Sequence, residues 1–459
     1  MEKVIRGLCF AALLAACAVP TSAREYKKSE SSRNSKSQVL LDVRAARSIL
    51  KADEKQNAWV RVGMDGFKLD SGRKRTPVNV ALVLDKSGSM QGEKIARARE
   101  AAISAIRRLR PEDIVSVITY DSTVNVLVPA TKLTDRDYVI AAIGRIQAGG
   151  STALFAGVSK GATEIRKFAD DNNVSRIVLL SDGKANVGPK TPGELGDLGA
   201  SLMKENIAVT TLGLGLGFNE DLMVQLASRS GGNHEFIENA SELADIFNQE
   251  FDSVTSVVAQ QIEMRITVPE GIRPVRVLGN DAEINGQQIF TKLSSIYSEQ
   301  NKHVVLELEV PKSGSGSKRD LATVSVSYLN MKTQMRDTLT GRVDVTFSND
   351  ESAVSKSLNA NVMADVAALV ANETNKLATK FLDEGDHAQC IILLNRNSAY
   401  LKENSALAPG NKKLQALYRL NRDQVGQVSR RDTNRARKSM RESQYKVESQ
   451  QALERPPKK

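Results

Sequence analysis

The sequence contains few of the residues that form disulfides and transition-metal clusters. It has 3 cysteines and 3 histidines in 459 residues, and Cys9 and Cys17 both lie close to the amino terminus. Cys390 therefore has no partner for a disulfide within a mature chain, and a zinc finger or similar cluster is excluded. A chain of this length can bury several domain cores without cross-links.

Long hydrophobic runs are also scarce. The longest, residues 8–19, is shorter than the roughly twenty apolar residues that a membrane-spanning helix requires. A polytopic membrane protein is therefore excluded. Because Lys3 and Arg6 precede this short run, its order is that of a secretory signal. We expect an exported protein of a bacterial periplasm or cell surface.

Two sites for removal of the signal stay open. Thr-Ser-Ala at residues 21–23 favours ordinary cleavage, with residues 1–23 as the signal peptide. Leu-Ala-Ala-Cys at residues 14–17 resembles a lipobox, in which case residues 1–16 are removed and an acylated Cys17 anchors the protein to a membrane. Residues 24–37 are polar and of mixed charge, which predicts a flexible tether.

The net charge of +10 is unevenly distributed. Residues 24–78 hold 14 basic and 7 acidic residues, residues 411–459 hold 14 and 5, and residues 79–255 hold 18 and 23. We predict that residues 426–459 form a basic tail that is solvated or contacts anionic lipid or envelope polymer. Tyr445 is the one aromatic residue of this tail, so base stacking is poorly supported and nucleic acid is not an expected partner.

Residues 77–255 alternate between apolar strands and amphipathic helices. Residues 78–84 are a nearly continuous apolar run, typical of a strand buried on both faces, and residues 93–109 have apolar side chains at helical spacing. Similar patterns alternate up to residue 251. This predicts an α/β fold with a doubly wound, mostly parallel sheet. Its ligand site should lie at the carboxyl ends of the strands.

Three of these strand ends carry oxygen-bearing side chains. The first has Asp85, Ser87 and Ser89, a loop at residues 148–153 supplies Thr152, and a later strand ends next to Asp182. Carboxylates and hydroxyls without histidine or cysteine suit a hard cation, Mg²⁺ or else Mn²⁺ or Ca²⁺. The sequence therefore predicts oxygen ligands for a hard divalent cation at these strand ends.

The segments DKSGSM, GGST and LSDG resemble the metal-ion-dependent adhesion site (MIDAS) of von Willebrand factor type A (VWA) domains. The resemblance covers residues 77–255, and SGSMQGEKI is most similar to the inter-alpha-inhibitor heavy-chain and chloride-channel-regulator branch. It implies one cation surrounded by five residues: Asp85, Ser87, Ser89, Thr152 and Asp182. It also implies an open coordination position that takes an Asp or Glu of a partner protein.

We therefore expect metal-dependent adhesion or complex assembly. A metal-independent scaffold of the envelope, anchored by the basic tail, is the alternative. We expect no enzyme, because the sequence has no nucleophile-elbow motif and its histidines lie in separate segments. The glycine run at residues 213–217 lacks the third glycine of a dinucleotide motif. We expect this loop to pass close to the metal, with Asn219 capping the next helix.

The flanking regions have other periodicities. Residues 257–348 alternate apolar and polar residues, which predicts a β-sandwich or a barrel. Residues 38–76 contain strand patterns without partners of their own, so we expect them to pair with residues 257–348. Residues 351–425 form a predicted helical region. Within it, residues 351–405 return to helical spacing and resemble one helix pair of tetratricopeptide type, with an ordinary packing helical hairpin as the alternative. Cys390 is expected in the core of this pair.

Overall fold

The computed structural model describes residues 39–69, 75–170 and 172–453. The predicted signal peptide, Cys17, the tether and residues 454–459 of the predicted tail lie outside this range. The first strands are β1 (Val39–Ala45), β2 (Ile49–Lys51) and β3 (Gln56–Gly66). Within the described part of the chain, no helix is both long and apolar enough to cross a membrane.

An α/β domain follows. Its strands are β4 (Val78–Asp85), β5 (Ile114–Tyr120), β6 (Val124–Lys132), β7 (Val174–Ser181), β8 (Ile207–Leu214) and β9 (His234–Ile237). Its helices are α1 (Glu93–Arg108), α2 (Arg136–Gly144), α3 (Leu154–Arg166), α4 (Pro192–Lys204), α5 (Glu220–Ser230) and α6 (Leu243–Thr255). The sheet order is β6-β5-β4-β7-β8-β9, with β6 antiparallel to β5 and the other pairs parallel. The predicted α/β fold with a mostly parallel sheet is confirmed.

The central strands are apolar because helices cover both faces of the sheet. Every residue of β4, β7 and β8 is buried. Helices α1, α2 and α6 pack on one face, and α3, α4 and α5 pack on the other. Strands β4 and β7 are paired in parallel. Because parallel strands end at the same edge of a sheet, the residues that follow β4 and β7 lie close together.

The second β region contributes two sheets that share one core. Its strands are β10 (Val257–Thr267), β11 (Arg273–Leu278), β12 (Ala282–Asn285), β13 (Gln288–Tyr297), β14 (Asn301–Val310), β15 (Lys318–Asn330) and β16 (Met335–Ser348). The sheet orders are β1-β3-β14-β11 and β12-β13-β10-β15-β16-β2. Because β3 pairs with β14 and β2 pairs with β16, the α/β domain is inserted between β3 and β10 of a β-sandwich.

The chain continues into helices that pack against both other regions. They are α7 (Glu351–Lys356), α8 (Ala360–Asp383), α9 (His387–Leu407), α10 (Lys412–Ser429) and α11 (Thr433–Ser449). Cys390 lies in an apolar cluster between α8, α9, α10 and α11. Burial raises the pKa of its thiol to about 11, so this cysteine is a core residue.

The prediction of a free basic tail over residues 426–459 is wrong for the part that the structure describes. Helix α11 packs against α8, α5 and β9. Its apolar residues Ala436, Met440 and Val447 are buried, and its arginines pair with carboxylates far away in sequence, as Arg435 does with Glu238 at 2.5 Å. A count of charges in one segment cannot reveal partners about two hundred residues earlier. Helix α11 is therefore not an extended arm for anchoring.

Candidate metal centre

Asp85 is the last residue of β4 and is fully buried. Its Oδ1 accepts a hydrogen bond from the backbone N–H of Ser87 at 2.8 Å. Its Oδ2 accepts from the Ser181 hydroxyl at 2.8 Å. Burial raises the pKa of Asp85, and the neighbouring charge of Asp182 adds to this effect. These hydrogen bonds fix the position of the Asp85 carboxylate. Because the group is buried, a nearby cation would stabilise its ionised form.

Ser87 and Ser89 lie on the turn that follows β4. Their hydroxyl oxygens are 3.0 Å apart. The Ser89 hydroxyl also donates to Oδ1 of Asp182 at 2.6 Å, which joins the ends of β4 and β7. Gly88 donates its backbone N–H to the carbonyl oxygen of Gly150 at 2.9 Å, so the turn is tied to the loop that carries Thr152.

Thr152 is held by the loop after β7. Its backbone N–H donates to Oδ1 of Asn186 at 2.8 Å, and its carbonyl oxygen accepts from the backbone N–H of Asn186 at 3.1 Å. A Cβ built at Gly183 would lie 3.3 Å from the Thr152 hydroxyl oxygen and 3.4 Å from that of Ser89. The two hydroxyls therefore flank the same glycine, and Thr152 lies in the same cluster as the serines.

The structure thus brings together the five residues named from the sequence, and we call them the candidate metal centre: Asp85, Ser87, Ser89, Thr152 and Asp182. Ser89 is exposed, whereas the other members are buried, so the centre opens to solvent on one side. Among the residues that the structure describes, no group of three or more His, Cys, Asp and Glu side chains is placed to hold a metal. The candidate metal centre contains only two such side chains, and its other members are hydroxyls. The donor set of two carboxylates and three hydroxyls fits a hard divalent cation that keeps other ligands.

A lysine that is not among the residues predicted from the sequence also reaches this centre. Lys94 is the second residue of α1. Its ammonium group pairs with Oδ2 of Asp182 and donates to the carbonyl oxygen of Ser89 at 3.3 Å. Its position one turn after the serines was the available signal, because the first turn of a helix after such a loop faces the ends of the strands.

The loop between β8 and α5 passes behind Asp182. A Cβ at Gly217 would lie 2.7 Å from the carbonyl oxygen of Asp182, so a glycine is needed for this close approach. Asn219 caps α5, as predicted, and accepts from the backbone N–H groups of Asp221 at 3.1 Å and Leu222 at 3.3 Å.

Helix α11 holds this same loop from the other side. Lys438 donates to the carbonyl oxygen of Phe218 at 2.8 Å and to Glu220 at 2.5 Å, and its ammonium lies 4.0 Å from the centre of the Phe218 ring. Arg437 pairs with Glu220 at 2.5 Å and with Asp221 at 2.6 Å. The acidic first turn of α5 is therefore neutralised by α11, a contact that is not predicted from the sequence.

The histidines belong to other parts of the fold. His234 is buried in β9, where its Nδ1 lies 2.8 Å from the Thr211 hydroxyl. His303 is buried in β14, and His387 begins α9. Burial lowers the pKa of His234 to about 4 and that of His303 to about 3. Both are neutral structural groups near pH 7.

Comparisons with known proteins agree with this arrangement. Residues 79–249 match the family model described as von Willebrand factor type A domain. An uncharacterized protein of Synechocystis sp. is 29% identical over 251 residues, which cover 52% of this chain and 59% of that protein. Human inter-alpha-trypsin inhibitor heavy chain H2 is 29% identical over 186 residues, which cover 38% of this chain and 20% of the heavy chain. This chain therefore spans less than two thirds of either relative.

A solved structure shares the wider architecture. The von Willebrand factor type A protein from Catenulispora acidiphila superposes with a TM-score of 0.65 over 84% of this chain and 90% of that chain. The two sequences are 17% identical, so the similarity is one of fold.

Proposed function

Because residues 79–249 of this chain form a von Willebrand factor type A domain, we propose that the protein binds a divalent cation at the candidate metal centre. We propose further that this cation captures an acidic side chain of a partner protein. The function is binding, in adhesion or complex assembly, rather than catalysis. Mg²⁺ is the expected cation, with Mn²⁺ or Ca²⁺ as substitutes.

The observation that supports this proposal is the convergence of five oxygen-bearing side chains from three separate loops. Asp85 and Asp182 are buried and supply negative charge, while the three hydroxyls supply neutral oxygens. Ser89 lies on the open side of the centre, where a carboxylate from another protein can approach. A bound cation would provide a charge-assisted and directional contact for that carboxylate.

Calorimetric titration of the purified protein with MgCl₂ or MnCl₂ tests the metal site. We expect one binding event in the parent protein and none in the double variant Asp85→Ala, Asp182→Ala. Asp121→Ala is the matched control, because Asp121 follows β5 at the same edge of the sheet and pairs with Lys86. Equal binding by the double variant and the parent would overturn the assignment.

Capture of a partner from an envelope extract tests the second part of the proposal. The protein is used with Mg²⁺, with EDTA, and as the Asp182→Ala variant. We expect a partner that is retained only with the metal and an intact Asp182. Identical retention in all three arms would instead support the alternative function as a metal-independent scaffold.

One contact favours that alternative. The ammonium group of Lys94 pairs with Oδ2 of Asp182, so the chain itself supplies a cation to this carboxylate. Export to the envelope also remains a proposal. It is tested by mass spectrometry of the mature amino terminus, which distinguishes an acylated Cys17 from a free Arg24.

A further inference from the structure

The contacts of Asp182 show that both of its carboxylate oxygens have partners. Oδ1 accepts from the Ser89 hydroxyl at 2.6 Å, and Oδ2 pairs with the ammonium group of Lys94. One partner is a member of the candidate metal centre, and the other is a positive charge supplied by the chain itself. A metal ion that approaches Oδ2 of Asp182 is therefore repelled by the ammonium group of Lys94.

The two members of this ion pair differ in their exposure. The Asp182 side chain is 0% exposed, whereas that of Lys94 is 38% exposed. A fully buried carboxylate is costly without a cation, but a lysine at the surface can turn its ammonium group into water. The Asp182 carboxylate therefore requires a positively charged partner. A metal ion can take the place of the Lys94 ammonium group in this role.

We propose that Lys94 is an intramolecular substitute for the divalent cation. It neutralises Asp182 when no metal is bound, and it is displaced into solvent when a metal ion binds. The proposal rests on the metal-binding function proposed above. It implies that Lys94 lowers metal affinity while it stabilises the metal-free protein, so that removing it should change these two properties in opposite directions.

The expected size of the effect follows from ion-pair competition. A positive charge in contact with a carboxylate near the protein surface opposes the binding of a second cation there by about tenfold or more. Because Lys94 is more than a third exposed, solvent screening reduces the effect, and we expect the lower end of this range, about tenfold, for a metal ion.

A nearby lysine offers a matched control for the general field of a positive charge. Lys86 directly follows Asp85 and pairs with Asp121, with side-chain exposures of 20% and 13%. Neither Lys86 nor Asp121 is a member of the candidate metal centre. Lys86→Met and Lys94→Met therefore each remove one charge near the centre and leave one carboxylate without its lysine, but only the second frees a metal ligand.

The test combines calorimetry with Mg²⁺ or Mn²⁺ and thermal unfolding with and without the metal, at fixed ionic strength. For Lys94→Met we expect about tenfold tighter binding, a lower Tm without metal and a larger rise of Tm when metal is added. For Lys86→Met we expect affinity within about threefold of the parent. Lys94→Arg, which keeps the charge, should resemble the parent.

The outcomes separate this inference from the function on which it rests. If the parent binds metal and Lys94→Met binds it equally well or more weakly, the inference is wrong and the metal site stands. The same change in both methionine variants would also overturn it, because the effect would be one of general charge. If Lys94→Met binds metal and the parent does not, the inference is supported in its strongest form. If neither protein binds metal, both proposals fail.

Discussion

Replacement of Lys438 by methionine tests whether helix α11 holds the loop behind the candidate metal centre. Lys438 is 3% exposed and contacts both Glu220 and the carbonyl oxygen of Phe218. Methionine fills a similar volume and keeps a contact with the Phe218 ring, but it removes the charge and both hydrogen bonds. Glu220, which is 7% exposed, then keeps Arg437 as its cationic partner.

The expected cost follows from these contacts. Removing one partner of a buried ion pair costs about 3–5 kcal/mol when the other charge is left alone. Because Arg437 still neutralises Glu220, we expect a smaller loss of about 2–3 kcal/mol in the free energy that docks α11. This corresponds to a fall of about 30- to 150-fold in the equilibrium constant for docking.

Native-state hydrogen exchange measures this quantity locally, which suits a protein of several domains, because a global transition does not isolate the docking of one helix. We expect backbone amides of α11 to lose about 30-fold or more in protection in Lys438→Met. Amides at the start of α5 should lose protection with them. Arg422→Met removes an exposed charge of α10 and should change nothing. Protection of α11 within about threefold of the parent would refute the reasoning.

Three further predictions concern the same region. Gly217→Ala places a Cβ 2.7 Å from the carbonyl oxygen of Asp182. Thermal unfolding should therefore show that the free energy of unfolding falls by about 1–3 kcal/mol. Gly193→Ala in α4, whose Cβ would meet nothing within 4 Å, should be neutral or slightly stabilising. Asn186→Ala removes the acceptor for the backbone N–H of Thr152, a member of the candidate metal centre. Calorimetry should show that the affinity for the metal is about fivefold weaker. Burial lowers the pKa of His234 from 6.5 to about 4. As the pH falls, His234 therefore binds a proton in the unfolded chain before it does so in the folded protein. Its contribution to the free energy of unfolding is fully present above pH 6.5 and is lost, by up to about 3 kcal/mol, as the pH drops toward 4. His234→Gln should flatten this part of a denaturation series in pH, and an unchanged profile would contradict the assignment. The charged groups that influence this histidine are Glu220, Lys438, Glu442 and Lys446.

The sequence by itself indicates the α/β domain and the members of the candidate metal centre. Buried parallel strands need nearly continuous apolar runs, such as that of β4, and their carboxyl ends must meet at one edge. Side chains that follow β4 and β7 are near one another because these two strands are neighbours in the sheet. From the sequence, the resemblance of the segments DKSGSM and LSDG to a MIDAS implies that Asp85 and Asp182 share one site.

Other features depended on the tertiary structure because their partners are distant in sequence. The salt bridge of Lys94 with Asp182 joins the start of one helix to the end of a strand 88 residues later. The contact of Lys438 with Glu220 spans 218 residues. A charged residue looks the same in sequence whether it faces water or a buried carboxylate, so the sequence predicts a free tail for the basic residues of α11. Only the packing of the helix against α5 showed that they neutralise the acidic turn beside the candidate metal centre.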